Sequence, residues 1–554
     1  MFLDARVIEQ ERLTADLCVI GAGAAGIAIA LQFVGSRHDV VLLESGGLAR
    51  DEETQNLYAG ENVGLAYARL DECRSRFLGG STNCWLGWCR PLDPIDFEPR
   101  PWMSSEGWPI GREELISAYQ AAHKLLLLGP FDYDRRNWEG QQKRDATFLH
   151  FDRTVIEDGV NQISPPARFG RLFRSTLESA KNIRALLHGT VTELVAGPHA
   201  NSIEEVHVDR PGRRKLVVVP KMVVLATGGI ENARLLLASD RTFANGIGNA
   251  HGLVGRYFMD HPRVCSTRVR LSDAKARRLY DHSFALVRQR LGLSQRAITM
   301  HFSPTERQQR AHQLPNSRTY LVAQSFCSLS ALRAAFGGLL HRKDRRPGYR
   351  SWCSDLMEVA RRAPAGLAAA LDFIAPDRGW GREFYLETVF EPVANPSSRV
   401  ALVAERDRLG MRKVSLDWRL TEADHANYRR TVDLVVGQLA GQGIIEPVAG
   451  AAETKSLLPE QIQWCWHHMG TTRMHRDPTH GVVDVDCRVH GLHNLFIAGS
   501  SVFPTPGSDT PTLTIVAMAL RLAWHLKSVL SAGGRAAVVH AARPPVEAST
   551  GEYL

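Results

Sequence analysis

The stretch DLCVIGAGAAGIAIALQFVGSRHDVVLLE, Asp16 to Glu44, constrains the fold more than any other part of the chain. Residues 16–20 read as a buried strand, the next residues as a glycine turn, and a helix runs to about Val34. GSRHD then turns, and VVLLE is a second buried strand ending at Glu44. Strand, turn, helix and parallel strand in this order form the unit that binds dinucleotides. Each glycine has a physical task. Gly21 permits the tight turn, and Gly23 lets the backbone approach a pyrophosphate that the helix N-terminus favours. Gly26 lets helix and strand pack closely. Glu44 follows roughly 20 residues on, where a carboxylate accepts bonds from ribose hydroxyls. The glycine spacing alone is weak evidence; with both strands, the helix and the acid it points to an adenine dinucleotide.

Two later runs repeat the pattern of strand, glycine turn and helix. KLVVVPKMVVLATGGIENARLLLAS, Lys215 to Ser239, reads as two strand runs, with Ala226 and Gly228 at the turn where backbone meets ligand. NLFIAGSSVFPTPGSDTPTLTIVAMALRLAWHL reads as a strand, a Gly499-Ser500 turn, a Pro-rich segment and a long helix from about Thr512. That helix N-terminus offers another place for anionic or carbonyl groups. Elements from both ends of the chain therefore surround one cofactor. The middle, about 262–465, differs: REFYLETVFEPVANPSSRVALV and KVSLDWRL alternate like antiparallel strands. Segment 328–375 reads as helix and loop.

Composition excludes several classes. The net charge of +8, from 67 Lys+Arg against 59 Asp+Glu, is a mild excess with no aromatic–basic interleaving, so no nucleic-acid partner is expected. The cluster HRKDRRPGYR, His341 to Arg350, reads as a solvated loop. Nine cysteines fit no zinc or iron–sulfur spacing and read as reduced thiols, with Cys18 packed in the core. The N-terminus has no basic start followed by an apolar signal core, and DLMEVARRAPAGLAAALDFIA is interrupted by Arg361, Arg362 and Pro364. A soluble, cytoplasmic protein without a membrane span and without a metal is expected.

Several blocks in fixed order resemble the glucose–methanol–choline (GMC) oxidoreductases: IGAGAAG, RFLGGSTNCWLGWCRPLDPIDFE, ATGGIENARLLLAS, VGRYFMDHP, HHMGTTRM and GVVDVDCRVHGLHNLFIAGSSVFPT. In flavour they are similar to bacterial members acting on sugars and polyols, including pyranose oxidase-like ones. The resemblance implies an α/β plus α+β fold, with a discontinuous Rossmann-like FAD domain and a substrate domain built on an antiparallel sheet. The expected division is 1–261 for the first part of the FAD domain (with a flavin-attachment-like loop at 73–100), 262–465 for the substrate domain, 466–535 for the second part, and 536–554 as a tail. The family's chemistry is hydride transfer from an alcohol carbon to flavin N5, with a histidine taking the hydroxyl proton and oxygen or another acceptor reoxidising the cofactor.

The spacing His-x-x-Gly-Thr selects His467, with Gly470 and Thr471, as that base; His468 reads as a packed core histidine. If the segment is extended, neighbouring side chains point to opposite faces. Relatives carry Asn or His just before the Pro-Thr that opens the last helix. Here Thr510 stands there, either bonding a substrate oxygen or capping the helix, with Asp509 or Ser508 able to compensate. By the same resemblance Gly79, Gly80, Ser81, Thr82 and Asn83 line the flavin and phosphate path, and Val191 meets the adenine. Cys84 replaces a histidine that bonds flavin covalently in some relatives, so dissociable FAD is expected. The implied substrate is a sugar, aminosugar or cyclitol alcohol, in a setting such as aminoglycoside-type metabolism; the alternative is redox-neutral, lyase-type chemistry on the same fold.

Overall fold

The structure is a computed structural model that describes residues 1–139, 147–165, 167–284, 297–323, 383–448 and 462–532. Three sheets organise it. The first carries the dinucleotide unit. Its strands are β1 (Phe2–Asp4), β2 (Arg12–Ile20), β3 (Val40–Leu43), β7 (Ile183–Leu187), β8 (Thr190–Ala196), β9 (Ile203–Asp209), β10 (Leu216–Leu225) and β18 (Leu495–Ile497), in the order β1-β7-β3-β2-β10-β9-β8, with β18 also on β10. The strands from β1 to β10, with β18, run parallel, whereas β8 and β9 are antiparallel. All four β3 residues are buried, as parallel strands covered on both faces require.

The two strand runs expected between Lys215 and Leu225 are one strand, β10. Pro220 does not break it. It falls between the stretch that pairs with β9 (Leu216 to Val218) and the stretch that pairs with β18 (Val223 to Leu225), where that edge needs no ladder bond. β18 brings the C-terminal segment into the N-terminal sheet, so the dinucleotide domain is discontinuous.

The second sheet is antiparallel throughout, in the order β17 (Ile445–Pro447), β11 (Arg263–Leu271), β14 (Glu383–Phe390), β13 (Ser317–Ala323), β12 (Ala297–Pro304), β6 (Ile156–Ile163) and β5 (Trp88–Cys89). One face carries Val160, Met300, Leu321, Phe384 and Leu386 into a second apolar core, which the helix Glu422–Gly441 covers with Val435 and Leu439. Thr421 and Asp424 cap that helix reciprocally. The opposite face looks towards the first sheet. A third sheet joins β15 (Arg399–Arg406) and β16 (Arg412–Asp417) to β4 (Gly60–Asn62).

Sheet membership crosses the expected domain limits. β5 and β6, inside 1–261, belong to the antiparallel sheet, and β15–β16, inside 262–465, pair with β4. The helix Thr512–Ser531 starts at Thr512 and is long and apolar enough to cross a bilayer. Arg521, His525 and Lys527 keep it from being an uninterrupted apolar run in the sequence. Here it is a core helix, with Leu513, Val516, Ala517, Leu520 and Ala523 buried, packed against helices Ala24–Gln32 and Ile116–Leu125. The described cysteines form no disulfide with one another, and Cys18 is fully buried. Segment 328–375, the basic cluster His341 to Arg350 and the tail 536–554 lie outside the described residues.

Candidate active site

A cavity of about 960 Å³ lies between the parallel sheet and the polar face of the antiparallel sheet. Its dinucleotide end is built from backbone. Gly21 has φ +100°, and a Cβ there would meet the Ala226 carbonyl oxygen at 2.7 Å. Gly80 has φ +52°, and a Cβ there would stand 2.9 Å from Gly23 Cα. Gly26 does not line the cavity; a Cβ on it would fall 1.9 Å from the Gly21 oxygen, so it serves the close packing of helix on turn. The helices starting at Ala24 and Thr512 both open on the cavity, and neither N-terminus has a side-chain cap. Their free N–H groups suit phosphate and carbonyl oxygens.

Glu44 lines this end, buried, and its carboxylate accepts the Ala22 N–H at 3.0 Å and the Gly46 N–H at 2.9 Å. Burial pushes its pKa upward, and those bonds oppose the shift. Glu44 thus braces the glycine turn as well as facing the ribose position. Ser81, Thr82, Cys84, Val191, Ala226, Gly228, Gly499, Ser500 and Thr512 also line the wall. Gly79 and Asn83 stand behind it. The Gly79 N–H donates to the Ala22 carbonyl at 2.8 Å, and the Asn83 amide donates to Leu78 and Gly80 carbonyls at 3.0 and 2.9 Å. Both hold the loop in shape. Cys84 is exposed, within 3.6 Å of the Ser75 hydroxyl.

One ionic group was not legible in the sequence. Arg74 and Arg76 line the cavity, pair with the buried Glu231 at 3.0 and 3.2 Å, and stack on the Tyr58 ring. Burial works against ionising Glu231, but Arg234, Arg74 and Arg76 outweigh it and take its pKa down to about 2. The glycine cradle, the uncapped helices and these cations all fit an adenine dinucleotide.

At the other end stands His467. Its Nδ1 lies 2.9 Å from Nδ1 of His261, whose Nε2 lies 2.9 Å from the Gly507 carbonyl. A carbonyl only accepts, so His261 carries its proton on Nε2. Burial lowers the His261 pKa to about 4, so the ring is neutral and its Nδ1 is an acceptor. His467 must donate through Nδ1–H, which leaves its Nε2 without a proton. Burial first, and the neighbours His261, His468 and Arg263 after it, hold the His467 pKa well below the usual range.

His468 diverges to other partners. Its ring packs against Tyr67 and Phe258 at 6.1 and 5.9 Å, Nε2 has no partner among the described residues, and burial lowers its pKa to about 3. Between the two arms sits Asp260, fully buried. Its carboxylate accepts the N–H groups of Cys465, Trp466 and His467 at 3.3, 3.0 and 2.9 Å, and the Tyr67 hydroxyl. It anchors Trp466 in a left-handed conformation, φ +62°, which only a few non-glycine residues adopt. Burial raises the Asp260 pKa to about 6. Asp260 and His261 were within the quoted block VGRYFMDHP; the signal was a charged and a titratable residue side by side in a turn, but their partners lie some 200 residues away.

Thr510 lines the cavity, but its hydroxyl donates to the Trp88 carbonyl at 2.6 Å and does not cap the helix, whose N-cap is Pro511. Asp509 is committed to Arg318 at 2.9 Å and Arg90 at 3.6 Å. Ser508 is different: it lines the cavity, is buried, and its Oγ has no partner among the described residues.

Residues 394–519 match the GMC oxidoreductase family model, a stretch holding His467, Ser508 and the start of the last helix. The chain is 24% identical to the 6'''-hydroxyparomomycin C oxidase of Streptomyces lividus, over 93% of this chain and 92% of that one. It is likewise 24% identical to the 2-methyl-1,2-propanediol dehydrogenase of Mycolicibacterium austroafricanum, over 91% of this chain and 94% of that one. The crystal structure of pyridoxine 4-oxidase from Mesorbium loti superposes with a TM-score of 0.55 at 16% identity, covering 93% of this chain and 99% of that one, and so has the same fold. A nucleotide cradle, a buried histidine across from it and the C-terminal stretch that matches the family model meet in one cavity, and the chain is similar over most of its length to GMC oxidoreductases.

Proposed function

We propose that this enzyme oxidises a CH–OH group of a sugar, aminosugar or cyclitol, with His467 as the base that takes the hydroxyl proton at Nε2. The observation that carries this is the chain from Gly507 through His261 to His467, which dictates where the protons sit. FAD, when bound, accepts the hydride from the alcohol carbon. The chain's residues do the rest. Gly21, Gly23, Gly80, Glu44, Val191, Arg76 and the two helix N-termini hold the dinucleotide. Ser508 donates its free hydroxyl proton to the substrate oxygen or accepts from it, the task that relatives give to the residue at position 510. Thr510 keeps its proton on Trp88 and offers only a lone pair. Cys84 leaves FAD dissociable.

The sugar-like reading leans on relatives such as the hydroxyparomomycin oxidase; such relatives are named oxidases and dehydrogenases, which lends the redox-neutral alternative no support. The test is anaerobic. Purified protein is yellow, and a suitable sugar or cyclitol bleaches it; exposure to oxygen or to a dye then restores the colour and identifies the acceptor. His467→Ala bleaching as fast as the parent enzyme would overturn the base assignment, and turnover without bleaching would overturn the oxidation.

A further inference from the structure

The cavity face of the antiparallel sheet carries a row of polar side chains that the proton-transfer steps do not use. Strand registers place Tyr320 of β13 and Cys265 of β11 directly opposite Glu387 of β14, and Arg318 and Arg263 on either side of Val389. Residues two apart on a strand share a face. Arg263 and Glu387 are therefore diagonal neighbours looking into the cavity, which both line.

Glu387 is only 6% exposed, yet its oxygens are poorly served. Arg263 Nε is 3.7 Å away, His282 Nδ1 3.8 Å, and the Cys265 thiol donates at 3.6 Å. No N–H or O–H donor among the described residues reaches ordinary hydrogen-bond distance. Arg263 Nε is buried and unpartnered too, while its other arm donates to Gln463 at 2.8 Å. A buried carboxylate and a buried guanidinium N–H with unfilled bonds carry a desolvation cost that a ligand's hydroxyls would remove. Trp88, Trp464, Trp466 and Tyr320 line the same part of the cavity, and 45% of Trp466 is exposed. Such rings offer flat apolar faces for the C–H side of a ring. The end is electrically balanced: one carboxylate, one guanidinium, and His282, which burial holds near a pKa of 3 and therefore neutral.

We infer that Glu387 and Arg263 form the recognition subsite for the non-reacting hydroxyls of a neutral polyhydroxylated ring, Glu387 accepting and Arg263 donating to adjacent hydroxyls while Trp464 and Trp466 cover the ring face. The inference rests on reading this cavity as the alcohol site, and it narrows the substrate to neutral ring polyols over charged sugars and bare alcohols.

The test uses the FAD-loaded enzyme and the probes D-glucose, myo-inositol and cyclohexanol. Binding is read from quenching of tryptophan fluorescence, and reduction separately from anaerobic bleaching. The ring polyols bind more tightly than cyclohexanol. Glu387→Gln weakens polyol binding about 10–100-fold, the loss of a hydrogen bond to a charged group, and collapses the preference over cyclohexanol. Arg263→Lys, which keeps the charge but not the planar fork, weakens it in the same direction. Equal binding of polyols and cyclohexanol, or polyol binding unchanged in both variants, overturns the subsite even if bleaching proceeds. Polyol binding that depends on Glu387 without any bleaching leaves the subsite standing and overturns the oxidation.

Discussion

His467 and His468 are chain neighbours, and burial makes both poor at holding a proton, yet only His467 has its tautomer dictated by a partner. Removing a positioned general base costs roughly 10²–10⁴-fold, so His467→Ala should lose that much kcat, while His468→Leu should lose stability and keep turnover. His261 acts through its neighbour. His261→Leu should lower kcat with little change in KM and shift the acid limb of the pH–rate profile, because nothing then compels His467 to place its proton on Nδ1; His261→Asn, whose side-chain oxygen accepts, should restore part of it. An unchanged pH profile in His261→Leu would show the contact to be packing alone. Ser508→Ala should reduce kcat/KM about 10-fold, the worth of about one hydrogen bond, measured against Thr510→Val, which should instead act through the Trp88 loop and destabilise.

Loops and strands carry the next level. Gly80→Ala places a Cβ 2.9 Å from Gly23 Cα at φ +52°, where a side chain costs about 1–2 kcal/mol before any clash. The flavin-to-protein absorbance ratio of the purified variant should drop sharply while the fold persists. The segment between β5 and β6 is clamped to the end of β14 by Arg100, fully buried and bonded to both oxygens of Glu391 at 2.5 and 2.7 Å. Arg100→Met leaves a buried carboxylate without its partner and should cost about 3–5 kcal/mol, read by thermal or denaturant unfolding. The strand, turn, helix and strand around Gly21 were legible because they are local, and each residue's reason lies within the motif. β5 and β6 were not: β6 pairs with β12, some 140 residues on, β5 joins the sheet only through β6, and neither carries a pattern that says which sheet it joins. The single strand β10 was misjudged because Pro220 reads as a break unless the gap between β9 and β18 is known.

Across the whole molecule, buried neutral histidines set the pH response. His261, His282 and His468 are held near pKa 4, 3 and 3, and His467 and His301 well below the usual range, chiefly by burial. Their folded values lie below the unfolded ~6.5, so below that pH the unfolded chain binds protons that the folded chain refuses. Stability is therefore lost as pH falls, by up to about 1.4 kcal/mol per pH unit for each ring. Buried carboxyls oppose this: Asp96 and Asp260, raised to about 7 and about 6, and Glu44, Glu157, Asp424 and Asp509, also raised by burial, contribute stability that is present at low pH and lost as pH rises through their folded values. With His123, His188 and His525 also lowered by burial, the described histidines outnumber these carboxyls. The melting temperature should fall from pH 7 to pH 5, and an increase over that range would contradict the burial of these rings.

What the sequence determined by itself was everything held within a short span: the dinucleotide unit and the helix beginning at Thr512, with His467 singled out as a candidate by the family resemblance at His-x-x-Gly-Thr. Those depend on local geometry and on the periodicity of apolar residues. The tertiary structure alone decided which proton His467 gives up to a neighbour, that Ser508 rather than Thr510 has a free hydroxyl, and that Glu387 and Arg263 stand side by side over the cavity. Each of these is a contact between residues far apart in the chain, and hydrogen-bond partners, unlike periodicity, leave no trace in the order of the residues.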